Sequence, residues 1–225
     1  SNMEELEIQL KKVPASAGCL IVTDGVFSMG GDIAKLPEIV KLARQYGARV
    51  MVDDAHGLGV IGEGGRGTAS HFGLEKEVDL IMGTFSKSLA SLGGYLVADA
   101  TVVDFVRHNS RPFIFSASIT PASAAIALAA LRHIKAHPEI VARLSGLSAY
   151  MRNGLKARGI PIIEAETPII PIYTYTPQAT LLRARQLYDA GVYVNPVLPP
   201  ATPPDLCLLR TSYMATLNEK LLDEA

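Results

Sequence analysis

The sequence predicts an α/β protein: a mostly parallel sheet with helices on its faces, followed by a smaller α+β domain. Three observations predict it. Apolar runs at 20–23, 48–52 and 78–83 have the length of buried strands, and a helical pattern at 37–46 separates the first two. Each run leads into residues that carry chemistry: Ser28 after the first, Asp53 and His56 after the second, Thr84 and Lys87 after the third. Beyond residue 116 the character changes to an Ala-rich helix, further short strands and a Pro-rich loop.

The elements follow in order. Residues 4–12 carry a charged helical pattern. In the 37–46 helix, Ile39, Val40, Ala43 and Tyr46 fall near helical spacing; Pro37 suits its first turn and Gly47 its left-handed stop. A Gly-rich loop at 62–67 follows the second strand and opens no clear helix, so it reads as a turn-rich loop and not as a nucleotide cradle. The run at 94–98 comes too soon after the Lys87 turn for a crossover helix, which makes it antiparallel to the third strand. Thr120 caps a helix at 121–136, and His137 with Pro138 interrupts it. A second helix runs over 138–158 and stops at Gly159. Strands at 168–175, 192–197 and 206–212 and a helix at 178–190 complete the second half. The domains are placed at 1–140 and 141–225. Both ends read as helix interior or charged helix without natural stop signals, so the sequence is expected to be part of a longer protein.

Composition excludes several classes. A formal net charge of -1 gives no electrostatic reason for a nucleic-acid or anionic-membrane partner. No apolar run is long enough to span a bilayer, and nothing at the start resembles a secretory signal. Cys19 and Cys207 lie far apart without metal-ligand spacing, so no metal is expected; both read as buried thiols of a reducing cytoplasm.

Taken singly, the candidate residues are ordinary: a lysine after a strand is usually solvated, and paired aspartates usually make a turn. Taken together they are not. In an open α/β sheet, ligands bind beyond the carboxyl ends of the strands. A lysine there can be desolvated and made nucleophilic, and can form an imine with an aldehyde. A carboxylate can hold a ring nitrogen protonated, an imidazole and a hydroxyl can bond a phenolic oxygen, and small hydroxyl residues with backbone N–H groups can bind phosphate. That set matches pyridoxal phosphate.

The motifs VTDGVFSMGGD at 22–32, VDDAHGLG at 52–59, GGRG at 64–67 and GTFSK at 83–87, in this order, resemble the α-oxoamine synthase family of fold-type I pyridoxal phosphate enzymes. The resemblance runs from about residue 4 to the end of the chain. It implies that the first domain is the C-terminal part of a cofactor-binding large domain and the second the small domain. It implies Lys87 as the lysine joined to the cofactor aldehyde and as catalytic base, Asp53 as partner of the pyridine nitrogen, and His56 and Ser28 beside the ring hydroxyl. Thr84 would lie near the phosphate. FIFSAS at 113–118 resembles the segment that reaches the cofactor phosphate of a neighbouring subunit, with Ser116 the first choice, and Arg210 matches the arginine that grips the amino-acid carboxylate. The implied reaction condenses an amino acid with an acyl-CoA in a homodimer. The family's preceding segment, with a Gly-rich phosphate turn and a ring-stacking residue, has no counterpart here. A Pro-Ala-x-Pro stretch at 200–203 leans toward the serine palmitoyltransferase branch over those of 8-amino-7-oxononanoate synthase and 2-amino-3-ketobutyrate CoA ligase. The alternatives are an inactive folded piece that serves as a dimerising scaffold, and an aminotransferase.

Overall fold

A computed structural model describes all residues, 1–225. The chain forms two compact units, Ser1–Val26 with Ala34–Pro138, and Phe27–Ile33 with Glu139–Ala225.

The first unit is built on a four-stranded sheet in the order β1 (Leu20–Asp24), β2 (Arg49–Asp53), β3 (Leu80–Thr84) and β4 (Gly94–Ala98). The first three strands are parallel, and β4 is antiparallel to β3, as the short connection requires. Helix α1 (Met3–Lys11) precedes β1, and α2 (Leu36–Tyr46) makes the crossover from β1 to β2. The apolar positions Leu36, Ile39, Val40 and Ala43 recur at helical spacing and are all buried. Gly47, at φ 65°, ends α2: the Ala48 N–H reaches the Ala43 carbonyl at 2.8 Å, closing the last turn.

Register divides the sheet into two faces. Ile21, Val50 and Val52 share one face and are buried. The opposite face carries Leu20 and Val22, which are 51% and 60% exposed, and then Asp24 and Asp53 at the strand ends. This second face combines open apolar surface with two carboxylates at its carboxyl rim.

A one-turn helix, α3 (Thr68–His71), follows the Gly-rich loop, which the sequence reading ends without a helix. Two further helices, α4 (Ala100–Asn109) and α5 (Arg111–Ile114), were not anticipated. Thr101, Val102 and Val103 are β-branched and weak helix formers, and α4 has no fully buried residue to give an apolar stripe. Helix α6 (Pro121–Ala136) starts at the Thr120 cap, whose hydroxyl accepts the Ser123 N–H at 3.1 Å.

The second unit has a three-stranded antiparallel sheet, β5 (Ile169–Tyr175), β6 (Asn195–Val197) and β7 (Cys207–Ser212), with β7 in the centre. Helices α7 (Glu139–Ala157), α8 (Pro177–Asp189) and α9 (Glu219–Glu224) accompany it. Ile170, Cys207, Leu208 and Leu209 form its core. Of the two thiols expected to be buried, only Cys207 is fully so. Strand β6 is shorter than the expected 192–197 because Val192 is used elsewhere. Its N–H bonds to the Leu187 carbonyl at 2.8 Å, beyond Gly191 at φ 90°, and so terminates α8.

The segment Phe27–Ile33, which lies within the expected first domain, belongs to the second unit. Thr167 is fully buried, and its hydroxyl donates to the Gly31 carbonyl at 2.7 Å. Gly31 has φ 70°, and a Cβ there would stand 2.5 Å from the Ile169 carbonyl oxygen. Two glycines therefore predict different costs. Gly47→Ala has open space and should lose about 1 kcal/mol for its left-handed backbone alone. Gly31→Ala adds a backbone clash and should lose about 2 kcal/mol or more, measured by urea unfolding. Equal costs would contradict the packing described.

Candidate active site

The strand ends of the first unit bring together several of the expected residues. Asp53 is the last residue of β2 and stands in register with Asp24 of β1. Its Oδ1 accepts the Ala55 N–H at 3.0 Å, which fixes the carboxylate by a local turn. The Gly25 N–H donates to the Asp53 carbonyl at 2.8 Å and the Asp54 N–H to the Met82 carbonyl at 2.7 Å, so the ladder continues past the strands.

Asp24 reports the local field. Burial, and then the negative charge of Asp53, push its carboxyl above the usual range, while Lys87 pulls it down. Asp24 therefore senses both the second carboxylate and the lysine amine. Asp24 was not among the expected residues; its position after the same β1 run that leads to Ser28 was the available signal.

Lys87 lies in the loop joining β3 to β4. The loop is closed by the Phe85 N–H to the Gly93 carbonyl at 2.9 Å and the Ser91 N–H to the Phe85 carbonyl at 2.8 Å. The Ser91 hydroxyl donates to the Ser123 carbonyl at 2.6 Å, which ties the loop to α6. The lysine side chain is exposed, unlike the desolvated amine anticipated, because the loop carries it past the end of β3. Thr84 is half-buried beside it. Its hydroxyl accepts the Ser86 N–H at 2.9 Å and lies 2.5 Å from the Ser86 hydroxyl, which leaves one hydroxyl hydrogen of the pair for another group. His56 is half-buried in the turn after Asp53. Ser116 is exposed between α5 and α6.

Asp54 underlies this rim. It is buried, and its carboxylate accepts the Thr68 N–H at 2.8 Å and the Thr68 hydroxyl at 2.6 Å. Gly25, Gly57 and Gly67 surround it so closely that a Cβ at any of them would overlap the carboxylate. One side chain thus gathers the β1 exit, the His56 turn and the Gly-rich loop. Tyr95, opposite Gly83 on β4, fills the space a side chain at 83 would take. Burial, followed by the charges of Asp54 and Asp53, pushes its hydroxyl up to about 12. Sequence reading missed Asp54 as a centre and Tyr95 altogether; the small residue at 83 facing an aromatic across a hairpin was the usable sign.

Ser28 and Arg210 both lie in the second unit. The Arg210 Nε–H donates to the Ser28 carbonyl at 2.6 Å, and Nη1–H donates to the Ser212 hydroxyl at 2.6 Å. Burial lowers the pKa of this arginine. A half-buried guanidinium with neutral partners can receive an anion.

The family model of aminotransferase class I and II matches residues 1–225. The chain belongs to that family. It is 50% identical over its whole length to a serine palmitoyltransferase of Sphingobacterium spiritivorum, covering 56% of that protein. It is 40% identical to an 8-amino-7-oxononanoate synthase of Fervidobacterium nodosum, covering 58% of it. Among solved structures, one of SPT with PLP internal aldimine superposes with a TM-score of 0.93 at 36% identity, over 99% of this chain and 56% of that one. Sphingomonas wittichii serine palmitoyltransferase gives the same values, a TM-score of 0.93 at 36% identity, with 99% and 56% covered. The fold is thus that of a fold-type I enzyme, and the chain spans a little over half the length of the curated relatives it matches.

The Asp54 clamp is testable through pH. Burial raises the Asp54 carboxyl from 3.8, and the Thr68 donors lower it. Because the native pKa lies above the unfolded one, the protonated native state is favoured. The contribution of Asp54 is therefore full below the unfolded value and declines as pH rises through the native value. Thr68→Val removes a hydrogen bond made chiefly to the ionised form. It should cost about 1–3 kcal/mol near neutrality and less toward about pH 4, measured by urea unfolding. A difference independent of pH would contradict the clamp.

Proposed function

We propose that this chain is the lysine-bearing portion of a pyridoxal phosphate-dependent acyltransferase that condenses an amino acid with an acyl-CoA. The observation that carries the reading is Lys87, held past the end of β3 where its charge acts on Asp24, the residue in register with Asp53 at the same rim. The donor set fits the cofactor. An amine answers an aldehyde, a carboxylate a ring nitrogen, and the remaining hydroxyl hydrogen of the Thr84–Ser86 pair a phosphate. Bound there, pyridoxal phosphate would supply a reactive aldehyde and a ring that accepts electron density.

The chain's own residues then have separable roles. Asp53 holds a proton at the ring nitrogen. Lys87 Nζ takes and returns the proton at the α-carbon of the amino acid. His56 and Ser28 bond the ring oxygen, Thr84 and the partner subunit's copy of Ser116 bind the phosphate, and Arg210 receives the carboxylate. The net reaction joins the amino-acid α-carbon to the acyl group and releases CoA and carbon dioxide. The serine palmitoyltransferase relatives, at 48–50% identity, favour L-serine and a long-chain acyl-CoA over the substrates of the 8-amino-7-oxononanoate synthases.

On this reading Ser1–Val26 with Ala34–Pro138 is the later part of the cofactor-binding domain and the second unit is the small domain. The working form is a homodimer, supported by exposed apolar side chains at Phe105, Phe113 and Phe115 around the Ser116 segment. Its compartment is the cytoplasm, supported by the two free thiols. No helix is long and apolar enough to cross a membrane.

Incubation with pyridoxal phosphate, borohydride reduction and peptide mapping should place the label on Lys87. Lys87→Ala should abolish that label. Label of equal stoichiometry on the variant would remove the assignment. Amino-group transfer to a keto acid without CoA dependence would replace the acyltransferase by an aminotransferase.

A further inference from the structure

Arg210 has five N–H hydrogens, and the structure commits two of them. The Nε hydrogen goes to the Ser28 carbonyl at 2.6 Å, and one Nη1 hydrogen goes to Ser212 Oγ at 2.6 Å. A guanidinium can grip a carboxylate side-on, through Nε and a terminal nitrogen, or end-on, through its two terminal nitrogens. The Ser28 carbonyl closes the side-on fork and leaves the end-on fork open.

That closure is built in. The loop Phe27–Ile33 that carries Ser28 is pinned by the buried Thr167 hydroxyl on the Gly31 carbonyl at 2.7 Å. Thr167 is itself held, its carbonyl accepting Arg152 Nη2–H at 2.7 Å. Gly31 sits against Ile169, with no room for a Cβ. The carbonyl that occupies Nε is therefore a fixed part of the second unit.

Ser212 completes the arrangement. Toward Arg210 its oxygen is the acceptor, so its own hydrogen is left for another group. The neighbouring hydroxyl is already engaged: Thr211 donates to the Ile170 carbonyl at 2.6 Å. Ser212 is exposed, at the end of β7 beside the arginine. The free hydrogens are then one on Nη1, two on Nη2 and one on Ser212 Oγ.

We propose that Ser212 is a substrate-binding residue, which with the terminal nitrogens of Arg210 forms a receptor for the α-carboxylate of the amino acid, docked end-on. The inference rests on the reading of Arg210 as the carboxylate arginine and adds a residue and an orientation to it. Ser212 thereby contributes to the choice of a carboxylate-bearing amine over the same amine without the carboxylate.

The test uses two probes that differ only in that group, L-serine and ethanolamine. Their dissociation constants are measured by calorimetry on the protein loaded with pyridoxal phosphate. Ser212→Ala should weaken L-serine about tenfold and leave ethanolamine within about twofold, and Ser212→Thr should restore L-serine binding. A serine that merely braced the protein would affect both probes alike. Equal weakening of both, or of neither, overturns the proposal while leaving Arg210 in place. Arg210→Lys separates the two levels: loss of the preference for L-serine upholds the arginine reading, and a preference that survives it removes both readings. An unsubstituted protein with no preference for L-serine over ethanolamine also overturns the proposal.

Discussion

The buried carboxylate of Asp54 is the constraint on which the first unit depends. A carboxylate removed from water must recover its lost hydration from hydrogen bonds. Here the recovery comes from one residue, Thr68, through its backbone N–H and its hydroxyl. Because Thr68 is fourteen residues further along the chain, satisfying the charge closes the whole Gly-rich loop over the end of β2. The glycines at 25, 57 and 67 follow from the same need: donors and acceptor meet only where three backbone segments approach without side chains. The turn that carries Asp53 and His56 is thus shaped from beneath by a residue that faces away from them.

The two faces of the sheet give this division its meaning. Val50, Val52 and then Asp54 alternate onto the buried face, while Met51 and Asp53 alternate onto the other. Consecutive aspartates therefore have opposite duties by pleat alone. One is enclosed and holds the fold. The other sits at a rim with Asp24, where the charge of Lys87 is felt.

Much of this was legible in the sequence, for physical reasons that differ by element. The strands were readable because buried parallel strands are continuous apolar runs, and α2 because Pro37 and Gly47 bracket a helical stripe. Helix α4 was not, since its β-branched residues disfavour helix and its apolar side chains are not buried within the chain. The placement of Asp53, Thr84 and Lys87 at or just beyond strand ends was readable because each follows an apolar run. The Asp54–Thr68 bond and the pairing of Arg210 with the Ser28 carbonyl were not. The latter joins residues 182 positions apart, and no local pattern records such a contact. The membership of Phe27–Ile33 in the second unit was hidden for the same reason, since a buried threonine hydroxyl at 167 holds it there.

Both units place a charge by the same device, using neutral partners in place of an opposite charge. Asp53 is oriented by the Ala55 amide, and Arg210 by a carbonyl and a hydroxyl. A counter-ion would position the group equally well, but would neutralise it and leave less for a ligand to gain. A dipole fixes direction and leaves most of the charge unspent, at a desolvation cost visible in the lowered pKa of Arg210. An arriving anion would offset that cost. A partly buried cation held by neutral partners gains little electrostatic return within the fold, and this is the arrangement the proposed carboxylate receptor would use.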